Sequence, residues 1–155
     1  MMRYIYLIIL GLFFSIVDME ADNSASIPLV PRPTSVVPGT GNFQFTPKTV
    51  FAVETEEQAA VIQLLSEQFA CAAGFTPKLK VDSKKGDLVF QTDKNIKSEA
   101  YCLEITPKKI TVKAADAKGF FYALQSIRQL LPAAIESAVK VNDVEWVGPA
   151  MTITD

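Results

Sequence analysis

The sequence predicts an α+β domain: a mixed or antiparallel sheet with two amphipathic helices packed on one face. Three observations predict it. Several short runs alternate apolar and polar residues, as in Tyr101, Leu103 and Ile105 against Cys102, Glu104 and Thr106, and in Ile110 and Val112 against Thr111 and Lys113. One apolar face per strand belongs to a sheet covered mainly on one side. Two further segments repeat their apolar residues at helical spacing: Ile62, Leu65, Phe69 and Ala72 in the first, Phe120, Leu124, Ile127 and Leu131 in the second. The order is strands, helix, several strands, helix, strands.

The elements follow from the N-terminus. Arg3 precedes a continuous apolar run, Tyr4 to Val17, with small residues Ala21, Ser24 and Ala25 beyond it. A positive start, a short apolar stretch and nearby small residues mark a secretory signal, assigned to residues 1–21. A run of about 14 residues falls short of the roughly 20 that a bilayer-spanning helix needs. Residues from Asp22 to Ser26 read as a leader, and four prolines between Ile27 and Pro38 hold the next stretch extended. Gly39 and Gly41 mark a turn. Phe43 to Val53 reads as a hairpin or two short strands around Thr46-Pro47-Lys48. Thr55 and Gln58 make a capping box for the first helix, which Gly74 ends. Lys78 to Val81, Leu88 to Thr92, Tyr101 to Ile105 and Ile110 to Ala114 are strands. Asp116 caps a second helix from Ala117 to Leu131, stopped by Pro132. Val141 to Val147 and Met151 to Ile153 read as two last strands with Gly148-Pro149 between them.

Composition narrows the chemistry. The chain has 155 residues, 49% of them apolar, with a formal net charge of -2; this is the size and make-up of one globular domain. The charge leaves no footprint for nucleic acid or an anionic membrane, so neither is expected as a partner. Histidine is absent. No Ser-His-Asp or Cys-His constellation can therefore be built, no imidazole can hold a metal, and no cofactor or metal site is expected. Cys71 points away from the stripe of its helix, and Cys102 lies in the polar register of its strand. The two are expected to be free thiols.

A few residues invite a chemical reading, and each has a plainer one. Glu56 and Glu57 suit the positive end of a helix dipole. Asp143 and Glu145 are two apart near an expected strand and could share a face, as a carboxylate pair must for acid–base work; a solvated edge explains them as well. Tyr101, Tyr122 and Trp146 could stack on a sugar, yet aromatics in strands and helices are usually core. Gln125, Arg128 and Gln129 lie on the outer side of the second helix, where they meet either water or a neighbouring domain.

The stretch Glu99-Ala100-Tyr101-Cys102-Leu103-Glu104-Ile105-Thr106, followed by Ile110-Thr111-Val112-Lys113-Ala114-Ala115 and by Lys118-Gly119-Phe120-Phe121-Tyr122-Ala123-Leu124-Gln125-Ser126-Ile127-Arg128-Gln129-Leu130-Leu131-Pro132, resembles the non-catalytic N-terminal domain of glycoside hydrolase family 20, the exported β-N-acetylhexosaminidases. Leu29-Val30-Pro31-Arg32-Pro33 and Phe43-Gln44-Phe45-Thr46 resemble its opening. Met151-Thr152-Ile153-Thr154-Asp155 resembles the strand leading into the family's catalytic barrel. The resemblance implies residues 22–150 as an accessory domain and 151–155 as the start of a (β/α)8 barrel. In that family the general acid is a Glu preceded by an Asp, and the substrate's 2-acetamido group is the nucleophile. Neither motif falls on this chain, so the resemblance implies no catalytic residue here and a glycan met only through the barrel. Two other readings stand beside it: a free-standing exported domain that binds a glycan or a protein, and the equivalent domain of another glycosidase, such as an α-glucuronidase or an O-GlcNAcase-like hydrolase. The end of the sequence at Met151 to Asp155, on an expected strand, favours the family 20 accessory domain over these two.

Overall fold

A computed structural model describes residues 29–155; the expected signal segment, the leader and the first residues of the proline-rich stretch lie outside them. The elements are β1 (Ser35–Gln44), β2 (Val50–Ala52), α1 (Glu56–Gln68) running into a π-turn (Phe69–Ala73), β3 (Lys78–Lys80), β4 (Leu88–Thr92), β5 (Tyr101–Ile105), β6 (Ile110–Ala114), α2 (Ala117–Leu130), a 3-10 turn (Ala133–Glu136) and β7 (Val147–Thr154). They form the expected α+β arrangement, with one seven-stranded mixed sheet in the order β1-β7-β5-β6-β4-β2-β3. The β1–β7, β7–β5 and β5–β6 pairs are antiparallel. The β6–β4, β4–β2 and β2–β3 pairs are parallel.

The sequence stripes fill the core. Ile62, Leu65, Phe69 and Ala72 from α1 and its π-turn are fully buried, and Phe120, Leu124, Ile127 and Leu131 at and after α2 are nearly so. Against them lie the inward residues of the sheet, among them Leu103, Ile105, Ile110 and Val112. Each fully buried large apolar side chain contributes about 1.5–3 kcal/mol. The core has two aromatic centres. Phe90 stacks on Phe120 at 4.8 Å; Phe45, Phe75 and Trp146 gather around Phe69 at 4.9, 5.4 and 5.9 Å.

Caps set the helix starts. Thr55 Oγ1 accepts the Gln58 amide. The reciprocal bond falls one residue early, since Gln58 Oε1 accepts the amide of Glu54 rather than that of Thr55. Gln58 Nε2 also donates to Thr92 Oγ1, and the Thr92 amide donates to the Glu54 carboxylate at 2.7 Å. This small network ties the start of α1 to the end of β4. Asp116 caps α2 by accepting the Gly119 amide and the Ser98 hydroxyl. At Gly119 the helix comes so close to the sheet that a Cβ would collide with the Ala100 carbonyl and lie 2.8 Å from Ala114 Cβ. Gly74 takes the left-handed conformation that ends the first helix (φ 74°).

Two expectations change, and one open choice is decided. Gly39 and Gly41 do not end a strand: β1 runs through them, with a bulge between Pro38 and Asn42. Of the two readings of Phe43 to Val53, separate strands hold and the hairpin does not, because β1 pairs with β7 whereas β2 pairs with β3 and β4. Gly148-Pro149 does not separate two strands: β7 is continuous from Val147 to Thr154, and Val141 to Trp146 is irregular. Pro149 is tolerated because β5 pairs with β7 only from Met151 onward, so that stretch of β7 has a neighbour on one side alone. Met151–Thr154 is the middle and end of β7, paired on both sides within this sheet.

Candidate domain interface

The residues singled out from the sequence scatter. Glu56 and Glu57 occupy the first turn of α1. Asp143 and Glu145 are exposed and precede β7 instead of sitting on a strand, with Asp143 at φ 58°. Tyr101 is buried, its hydroxyl 2.6 Å from Ser126 Oγ. Burial pushes that phenol up, with a smaller upward push from Asp155 and an opposing effect of the Ser126 hydrogen bond. Trp146 is 7% exposed and packs edge-on to Phe69. Neither ring is a sugar platform. Among the described residues, no group of three or more Cys, Asp or Glu side chains is placed to hold a metal, and no helix is long and apolar enough to cross a membrane. Cys71 is exposed and Cys102 half-buried on the face of the sheet away from the helices; both are free thiols, as their registers require.

What the structure does bring together is the outer surface of the helix pair. Leu64 of α1 and Phe121 and Tyr122 of α2 are 43%, 39% and 43% exposed. They border two hollows that share Phe121 and Gln125. The first, about 400 Å3, lies between the helices and the 3-10 turn. Arg128 crosses it: Nη2 donates to Glu136 Oε2 at 2.6 Å, Nε to Glu136 Oε1 at 3.3 Å, and Nη1 to Gln125 Oε1 at 2.8 Å. The guanidinium is thus held flat and in place. Beside it, Gln68 Oε1 is buried with no hydrogen-bond partner.

The second hollow, about 470 Å3, lies on the far side of Phe121, between α2, the stretch before β1 and the end of β7. Its outer wall is Val30-Pro31. Gln129 holds that wall: the Val30 amide donates to Gln129 Oε1, and Gln129 Nε2 donates to the Val30 carbonyl, both at 2.8 Å. Asp155 forms its end wall. So Gln125, Arg128 and Gln129 all lie on the outer side of α2 as expected, but none is simply solvated. Leu64, Phe121 and the Val30 wall are not legible in the sequence as a surface. The only signal there is apolar residues off the main stripe of each helix.

Comparisons with known proteins agree on the kind of molecule. The profile of glycosyl hydrolase family 20, domain 2, matches residues 26–155. A β-hexosaminidase of Porphyromonas gingivalis is 26% identical over 119 residues, which are 74% of this chain and 15% of that protein. The N-acetyl-β-hexosaminidase of Streptomyces plicatus, solved with thio-NAglucal, superposes with a TM-score of 0.76 at 28% identity, over 82% of this chain and 26% of that one. The β-N-acetylhexosaminidase of Bacteroides fragilis shares the fold, with a TM-score of 0.65 at 23% identity over 83% of this chain and 24% of that one. The chain therefore spans about a quarter or less of each of these relatives, and it belongs to glycosyl hydrolase family 20, as the family's non-catalytic domain 2.

Proposed function

We propose that the chain is the accessory domain of an exported β-N-acetylhexosaminidase, and that it braces the catalytic barrel through the outer surface of its helix pair while taking no part in the chemistry. The observation that carries this reading is the exposed apolar strip Leu64, Phe121, Tyr122 and Val30, gathered along two adjoining hollows. A contiguous apolar surface rimmed by polar groups is what a protein interface needs. The placed Arg128 fork and the unpartnered Gln68 oxygen supply its polar complement. Asp155, at the end of β7, lines one of these hollows, so a domain joined there would begin against this surface. The likeness to domains of hexosaminidases supports the activity of the parent protein. Arg3 and the apolar run Tyr4 to Val17 support export.

The test is to titrate the purified domain with chitin oligosaccharides, assay it on a chromogenic N-acetylglucosaminide, and compare its thermal midpoint with that of the full-length parent. The expected result is no turnover, no saturable binding, and a lower midpoint for the domain alone, because the partner's contacts stabilise it by mass action within one chain. Saturable glycan binding with an equal midpoint would defeat the brace and favour a glycan-binding module.

A further inference from the structure

The stretch before β1 has no strand partner, yet its backbone is hydrogen-bonded, and by side chains from the far end of the sequence. Gln129 takes both the amide and the carbonyl of Val30, as an adjacent strand would. Asp155 Oδ1 accepts the Thr34 amide at 3.1 Å and the Thr34 hydroxyl at 3.4 Å. Asp155 is itself fastened, because its amide and carbonyl pair with those of Tyr101 at 3.1 and 3.0 Å. Leu29 and Pro33 are buried beside these two attachments. The start of the domain is thus tied to the end of its last strand across 121 residues of sequence. Each of these side chains satisfies backbone groups that otherwise depend on water.

We infer that Asp155 and Gln129 are positioning residues, which latch the segment 29–34 across the corner where β7 ends and so fix the direction in which a following domain leaves. The inference rests on the brace reading. It gives that brace a mechanical element: the wall of the second hollow is held in place before a partner arrives. A preformed wall spares the ordering cost of docking. Asp155 acts only as an acceptor toward Thr34, so an amide oxygen at the same place serves equally.

The experiment uses the full-length parent protein with Asp155→Ala, Asp155→Asn and Gln129→Ala, read by amide hydrogen exchange and by calorimetry. In Asp155→Ala the Thr34 amide, and in Gln129→Ala the Val30 amide, should exchange about tenfold faster, the expected effect of losing a local hydrogen bond. Asp155→Asn should restore the protection. Calorimetry should show one joint transition in the wild type and in Asp155→Asn, and two separated transitions in Asp155→Ala. Equal behaviour of the Asn and Ala variants, or unchanged exchange at Val30 and Thr34, would overturn the latch. Two transitions already in the wild type would overturn the brace instead, while the exchange measurement still decides whether the latch exists. Gln129 lies on the rim of the domain, so its variant keeps the test open if Asp155→Ala does not fold.

Discussion

The two sides of the helix layer are built from similar residues and answer to different demands. On the inner side Ile62, Leu65, Phe120 and Leu124 are between 0% and 2% exposed, each against the sheet. On the outer side Leu64 and Phe121, one or two positions away in sequence, keep 43% and 39% of their surface in water. The inner residues are accounted for by this domain's own stability. The outer ones bury little more than half of their surface within the domain, and the rest is the apolar strip on which the proposed brace relies. Apolar character alone does not distinguish a core position from an exposed one. The neighbours do: the inner stripe has mainly apolar company, whereas the outer strip is interleaved with Gln125, Arg128 and Gln68.

The contrast can be broken most directly at Leu124. Leu124→Ala should destabilise the domain by roughly 2–5 kcal/mol, the cost of truncating a buried leucine, measured by urea denaturation of the purified chain. A loss no larger than that of an outer-face substitution would mean the stripe has been assigned to the wrong side. A different inner-face change is Gly119→Val. The new side chain meets the Ala100 carbonyl and Ala114 at the closest approach of α2 to the sheet. A cost of about 1–3 kcal/mol is expected for such overpacking, and an unchanged midpoint would show that the helix can slide away from β5 freely.

The rim between the two sides carries a pH-dependent element. Glu54 is partly buried, which by itself raises its pKa, but the Thr92 amide, the Lys84 ammonium at 3.0 Å and the Thr92 hydroxyl together outweigh that and leave it below the usual Glu range. A depressed folded pKa contributes stability that is fully present above the unfolded value, about 4.3, and is lost as pH falls through the folded one. Unfolding free energy should therefore drop below that pH in the wild type, and the drop should be shallower in Glu54→Gln. Equal slopes for the two would remove Glu54 from the network. The smallest effect is on the outer side. Gln125→Ala should change the isolated domain by no more than about 0.5 kcal/mol, as is usual at surface positions, and a larger loss would mean that its contact with Arg128 supports the core.

These contrasts also show which parts of the fold the sequence carries in the open. The α2 stripe, its Asp116 cap and the strands β5 and β6 are legible because each is a local pattern: period 3.6, a capping residue beside its helix, or period 2. β1 and β7 are not. Proline and glycine read as turn punctuation, yet Pro38 sits on an edge strand at a bulge, and Pro149 lies in β7 beyond the end of β5. Whether such a residue ends a strand depends on whether a neighbour needs its N–H, and that is set by the sheet. The candidate interface stays hidden for a related reason. Gln129 and Val30 are 99 residues apart, and Asp155 and Thr34 are 121 apart; no local spacing encodes those meetings. The absence of histidine, by contrast, is a property of composition, and composition alone excludes His-based triad chemistry.

The single tryptophan gives the molecule a built-in optical reporter. Trp146 is buried against Phe69, and its backbone carbonyl accepts the Phe45 amide at 2.8 Å. It stands just before β7, and Asp155 just after it. At about 3.3 Å per residue the two ends of that strand are roughly 30 Å apart. Indole emission therefore records whether the aromatic centre around Phe69 is intact and is blind to events at the Asp155 corner. In the isolated domain, a variant that exchanges amides faster at Val30 and Thr34 while its emission maximum stays in place has opened locally. A shift of that maximum to longer wavelength marks the loss of the whole core.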